Sequence, residues 1–161
     1  MPQRQRINYT SLSATGIALD GVVVDPSLSN TLSPAQEVGE IASTGLHSGR
    51  GLVSHYHADG FSATQSGFNL YNAIDYVSHT HPPIVSLGFD GVAGFGRYLE
   101  GDTTSDGVDE PLDDWSGHTH GAYGYHYHTV VETRVFKLER WRQRLLHGPH
   151  AAAAGGVAGT H

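Results

Sequence analysis

Two stretches of this chain carry the same spaced histidines, and that repeat constrains the fold more than any other feature. His47, His55 and His57 follow the pattern H-x7-H-x-H, and His118, His126 and His128 follow it again, each offset by 71 residues. Upstream, Leu19-Asp20-Gly21-Val22 matches Phe89-Asp90-Gly91-Val92 at an offset of 70, which extends the correspondence with a single one-residue gap. Self-similarity of this kind marks a duplicated structural unit. The related halves are expected at about residues 16–66 and 86–137, packed about a pseudo-two-fold axis that brings the histidine clusters to equivalent or facing places.

A chain of 161 residues has the length of one compact domain. Its 21 Gly and 7 Pro, with only 38% apolar residues, disfavour long helices. Val22–Val24 and Ile84–Phe89 are β-branched, apolar runs beside Asp-Gly pairs, which read as strands bounded by turns. Residues 54–57 and 123–128 alternate His with Tyr or Gly at a period of two, which suits a strand. The expected fold is therefore all-β, mainly antiparallel and sandwich-like, with long Gly-, Pro- and Asp-rich loops. Val130–Leu146 reads as a strand running into a short C-terminal helix. A polar arm over 1–15, a single domain over 16–149 and an Ala/Gly-rich tail over 150–161 complete the organisation. No stretch approaches the roughly 18 apolar residues of a membrane span. Residues 1–13 hold no apolar run of signal-peptide type, so the expectation is either a cytoplasmic protein or one whose leader has been removed. Asn8-Tyr9-Thr10 fits the glycosylation acceptor pattern, a common chance tripeptide.

The chemistry points to histidine. There are 12 His and no Cys, which excludes disulfides, thiolate nucleophiles, Cys-based zinc sites and iron-sulfur clusters together. Random placement at this frequency gives roughly one His-x-His pair; the chain has His55/His57, His79/His81, His118/His120 and His126/His128. On a strand, residues i and i+2 face the same way, so each pair aims two imidazoles at one side. Neutral imidazole suits Cu(II) and Zn(II). The candidate metal ligands are His47, His55, His57, His118, His120, His126 and His128. His79 and His81 precede Pro82-Pro83 and read equally as loop histidines beside a turn, and His147, His150 and His161 as surface residues. The competing account of the repeated histidines is a buried His-Tyr hydrogen-bond network without metal.

The formal charge of -7 is unevenly spread. From Ile7 to Thr133 there are 15 Asp and Glu against Arg50 and Arg97, a surface unsuited to nucleic acid. Arg134, Lys137, Arg140, Arg142 and Arg144 then form a basic strip with Phe136, Trp141, Leu145 and Leu146 between them. That strip is either a solvated face or an anchor for a homo-oligomer or filament. The loop 100–114 is acidic enough to attract Ca(II), although its spacing is not that of an EF-hand.

Tyr125-His126-Tyr127-His128 is a recognisable signature, and the chain from about Gly16 to His128 resembles the YHYH-domain family of mostly exported bacterial and archaeal proteins. Gly16 to Pro26 is similar to the family's opening strand and turn, and Ser54-His55-Tyr56-His57-Ala58-Asp59 to its first histidine motif. His81-Pro82-Pro83 through Asp90-Gly91 resembles its Pro-rich approach to an Asp-Gly turn, and Leu112 to His118 its lead into the final signature. Trp115 stands where the family commonly has Cys, Ser54 replaces the first Tyr of the signature, and everything after Val130 diverges. The resemblance implies an extracellular or cell-surface protein. Three functions are compatible with these residues: a non-catalytic metal-binding protein; a zinc hydrolase-type enzyme with three His, an open position and Asp90 or Asp20 as base; and a self-assembling surface subunit whose histidines are structural.

Overall fold

The Asp-Gly turns set the frame of each half. In the computed structural model, Asp20 Oδ1 accepts from Val22 N–H at 3.0 Å, and Asp90 Oδ1 accepts from Val92 N–H at 3.0 Å. Gly21 and Gly91 take φ of 85° and 82°, left-handed values that glycine adopts without steric cost. Each turn joins a short antiparallel pair: β1 (Gly16–Ala18) with β2 (Val23–Val24), and β7 (Ile84–Gly88) with β8 (Ala93–Phe95). The structure describes residues 14–27, 29, 33, 35, 37–49, 53–64, 69–113 and 115–131. Most of the expected N-terminal arm, the C-terminal helix, the basic strip and the tail lie outside them.

The remaining strands are β3 (Leu46–Ser48), β4 (Ser54–Tyr56), β5 (Phe61–Ser62), β6 (Tyr71–Asn72), β9 (Gly117–His120) and β10 (Gly124–His128), with one 3-10 turn at Ala73–Tyr76. Among the described residues, eight strands form one sheet in the order β3-β4-β2-β1-β7-β8-β10-β9, and β5-β6 form a second, two-stranded one. The architecture is all-β and mostly antiparallel, as the composition and alternation predict. No helix of the described residues is long and apolar enough to cross a membrane.

The strand order is a palindrome, so the duplication is written into the topology. β2 pairs parallel with β4 as β8 does with β10, and β3 pairs antiparallel with β4 as β9 does with β10. The halves meet at the antiparallel pair β1-β7, where Ile17 faces Leu87, its own counterpart at an offset of 70. Leu19 N–H donates to Val85 O at 3.0 Å and Phe89 N–H to Thr15 O at 2.9 Å, the same bond on either side of that pair. The pseudo-two-fold axis therefore passes between Ile17 and Leu87.

Each half is tied across its strands by a tyrosine. Tyr56 donates to Asp20 Oδ2 at 2.8 Å, and Tyr127 donates to Asp90 Oδ2 at 2.7 Å. A separate network joins the halves beyond β4 and β8. Asp59 accepts from Arg97 Nε and from Tyr71, both at 2.6 Å, and the Tyr71 oxygen lies 2.7 Å from the Thr129 hydroxyl. Because the single phenolic proton goes to Asp59, Thr129 donates to Tyr71.

Aliphatic burial is sparse. Among the described residues, the buried apolar side chains are Ala18, Ala35, Tyr56, Tyr71 and Val85, whereas His81, His118, His126 and His128 are all buried, and His126 is the largest side chain fully removed from water. Imidazoles thus occupy the place that aliphatic side chains take in most cores.

The approach to β3 depends on Gly45, which has φ of 79° and whose Cβ, if present, would lie 2.6 Å from Ala58 O. Gly45→Ala is expected to destabilise the protein by at least about 1 kcal/mol, since a left-handed alanine alone costs that much. Denaturant titration of the two proteins checks this, and an unchanged midpoint would show that the chain adapts freely there.

Candidate metal centre

Hairpin geometry places the histidines. In the antiparallel pair β3-β4 His47 stands opposite His55, and in β9-β10 His118 stands opposite His126. His57 and His128 follow two residues along on the same face, so each hairpin gathers three imidazoles.

The first centre contains His47, His55 and His57. The His55 and His57 Nε2 atoms are 3.0 Å apart, and the His47 ring centroid lies 5.1 Å from that of His55 and 5.5 Å from that of His57. Asp25 Oδ2 is 3.7 Å from His55 Nε2. Asp25, His55 and His57 each offer one ligand atom, and these atoms lie within 4.8 Å of one another.

The second centre is larger. His81, His120, His126 and His128 offer ligand nitrogens within 4.8 Å of one another, and His81 Nε2 is 3.2 Å from His126 Nε2. The His118 ring lies 4.6 to 4.9 Å from those of His120, His126 and His128. Aromatic side chains wall the group: Tyr123 stacks on His81 at 4.1 Å, Tyr98 stacks on His128 at 4.5 Å, and Phe95 meets His81 edge-on at 4.5 Å. The Tyr98 hydroxyl donates to Asp106 O at 2.9 Å and sits 3.3 Å from His118 Nε2.

The orientation of these rings is fixed by the backbone. His118 Nδ1–H donates to Glu110 O at 3.0 Å, His126 to Gly124 O at 2.8 Å, and His128 to Gly96 O at 2.8 Å. In the first centre His47 donates to Glu40 O at 2.8 Å, His55 to Val53 O at 3.1 Å, and His57 to Pro26 O. The acceptors correspond pair by pair across the repeat. His81 Nδ1–H likewise donates to Pro82 O at 2.9 Å. A carbonyl can only accept, so the proton is on Nδ1 and the neutral ring presents an Nε2 lone pair. Metal-ligating histidines are held in this way.

The lone pairs of His81, His126 and His128 have no donor to meet. His81 and His126 point Nε2 at each other, and both rings already use their proton on a carbonyl. Among the described residues, His128 Nε2 is the buried side-chain nitrogen or oxygen left without any hydrogen-bond partner. A second proton on either ring is disfavoured, because burial lowers the His81 pKa to about 4 and that of His128 to about 3, with the neighbouring imidazoles adding to the effect. Burial also lowers those of His118, His120 and His126. The separations fit an ion: four ligands at ~2.0 Å in a tetrahedron lie ~3.3 Å apart.

Of the seven histidines expected as ligands, His55 and His57 belong to one group of possible ligands and His120, His126 and His128 to the other, while His47 and His118 adjoin them by ring contact; the two groups are separate, with β2, β1, β7 and β8 between β4 and β10. His81 and Asp25 were not among the expected ligands. The His79-x-His81 pair was the signal for His81, and only this half of it is used, because His79 is exposed before the turn. Asp25 stands where the second half has Phe95, so the repeat pointed to its position and not to its role. The carboxylates of Asp20 and Asp90, considered as bases for an enzyme, are engaged by the turn amides and by Tyr56 and Tyr127. In the 100–114 loop Asp102 accepts from Thr104 and Ser105, and Asp113 from Trp115 and Gly117. Among the described residues, no three Asp, Glu or His side chains of this loop come together as a group. Comparison with protein-family models, with curated proteins and with solved structures found no match.

The pH dependence of stability follows in sign. The five second-centre imidazoles are harder to protonate folded than unfolded, so the unfolded chain takes up more protons as pH falls below about 6.5. Metal-free protein is expected to keep full stability above that pH and to lose it progressively towards pH 4 and below, where His81 and then His128 protonate. Denaturation midpoints of chelator-treated protein between about pH 7.5 and 5 check this, since ordinary carboxylates stay charged there. A flat profile means the imidazoles are solvated.

Proposed function

We propose that this chain is a non-catalytic binding protein for transition-metal ions, Cu(II) or Zn(II), with one centre in each half. The facing Nε2 lone pairs of His81 and His126 carry this reading, because two buried acceptors 3.2 Å apart repel each other unless a cation lies between them. The orphaned Nε2 of His128 points to the same need. The first centre has the same backbone-anchored triad, with Asp25 as a fourth donor. Asp20 and Asp90 are bonded to turn amides and tyrosines and belong to neither group of possible ligands, which supports binding over hydrolysis. The resemblance to the YHYH-domain family supports export, and an extracellular or cell-surface setting is part of the proposal.

Elemental analysis of protein loaded with Zn(II) or Cu(II) and then desalted is expected to find two equivalents. Replacing His126 and His128 together by Ala is expected to remove at least one equivalent, with circular dichroism confirming the β fold. Metal at 100 times its dissociation constant adds about 2.7 kcal/mol per centre, so the melting temperature is expected to rise on loading and fall on chelation. An unchanged metal content in the double variant removes the proposal.

A further inference from the structure

The two centres share a triad and differ in everything added to it. His47, His55 and His57 correspond to His118, His126 and His128, with the same Nδ1 tethers to Glu40 and Glu110, Val53 and Gly124, and Pro26 and Gly96. Beyond the triad, Asp25 in the first half stands where Phe95 does in the second, each just before the carbonyl that holds the third histidine. Gly49 in turn stands where the second half has His120. His81 adds a further imidazole to the second centre.

These exchanges change charge and solvation together. The first centre combines imidazoles with one carboxylate, and His55 and Asp25 keep 17% and 21% of their side-chain surface in water. The second centre has five neutral imidazoles, four of them buried, against Phe95, Tyr98 and Tyr123. The acidic side chains that act on His118 and His120 among the described residues are Asp106, Glu110 and Asp113, all exposed and outside the ligand group.

The cost of placing an ion in a low-dielectric site rises with the square of its charge, so a buried set of neutral ligands penalises a divalent ion about four times as heavily as a monovalent one. A carboxylate ligand offsets one unit of that charge and suits harder ions, whereas imidazole suits copper. On the metal-binding reading above, we propose that the second centre prefers Cu(I) to the divalent ions that it takes when they alone are supplied, and holds it by imidazoles drawn from His81, His118, His120, His126 and His128. The first centre, with Asp25, is a site for divalent ions alone. The chain is then a carrier of two unlike metals, and the Asp25/Phe95 exchange is the specificity determinant between the halves.

The test is an anaerobic titration of the full chain with Cu(I), supplied as its acetonitrile complex against a coloured Cu(I) chelator, run beside a titration with Zn(II). One equivalent of Cu(I) is expected to be retained against the chelator, with any second equivalent weaker by at least about tenfold. His126→Gln with His128→Gln is expected to abolish the retained equivalent, and His55→Gln to leave it. Because the first pair could perturb the fold, Asp25→His provides the converse measurement: an all-imidazole first centre is expected to retain a second equivalent of Cu(I). Retention of two equivalents by the unaltered chain, or of none while Zn(II) still binds, overturns the selectivity and leaves the metal-binding proposal standing. Failure of Zn(II), Cu(II) and Cu(I) alike to bind overturns both.

Discussion

The hydrogen bond from histidine Nδ1 to a backbone carbonyl is the interaction on which the rest of this structure depends. It recurs at His47, His55, His57, His81, His118, His126 and His128. Each bond fixes the tautomer and the ring plane, and so decides that an acceptor and not a donor faces inward. Without those bonds the rings could rotate and pair as donor and acceptor, which is how a metal-free histidine network would satisfy itself. With them, His81, His118, His126 and His128 all present acceptors and have no ring proton left to share. The acceptor carbonyls come from loops and strand ends around the hairpins, so the local backbone serves to aim the nitrogens.

This arrangement links stability to occupancy. A domain of this length usually rests on a contiguous aliphatic core, but here Ile17, Leu19, Leu87 and Phe89 are exposed while four imidazoles are buried. Burying a lone pair without a partner is unfavourable, and gathering several multiplies the cost. The tyrosine-aspartate ties in each half and the Asp59-Arg97-Tyr71-Thr129 network between the halves hold the strands in place around that group. A cation would turn the same repulsion into coordination, so binding and folding free energy become one quantity.

Much of this could be read from the sequence, and the reason lies in the kind of information each feature carries. The triads were legible because hairpin pairing and the period of two both leave marks at fixed spacing, and duplication printed those marks twice. The Asp-Gly turns were legible because only a few residues suit them. Asp25 and His81 were obscure because they approach from segments outside the hairpins, where no periodicity ties a residue to a direction. His81 was further masked by Pro82 and Pro83, which suggest an ordinary turn; in the structure Pro82 is buried and its carbonyl is the His81 tether. The tethers themselves have no sequence signature, since any residue supplies a carbonyl. The very short strands follow from the Gly- and Pro-rich composition, which interrupts pairing after two to five residues.

Duplication also explains why the halves could diverge in chemistry while keeping one geometry. The tethered triad lies within the hairpins and their carbonyl acceptors, so altering it disturbs strand pairing as well as the site. The added groups sit at the margins of that pairing: Asp25 follows β2 where Phe95 ends β8, Gly49 follows β3 where His120 ends β9, and His81 lies ahead of β7. At Gly49 a Cβ would lie 3.3 Å from the His55 ring, so enlarging that position presses directly on the first centre, whereas the corresponding His120 is accommodated beside Tyr98 and Tyr123. Charge and burial could therefore change at strand ends while the opposed histidines of each hairpin kept their register. The conserved part of the repeat sets where nitrogens point, and the variable part sets what surrounds them.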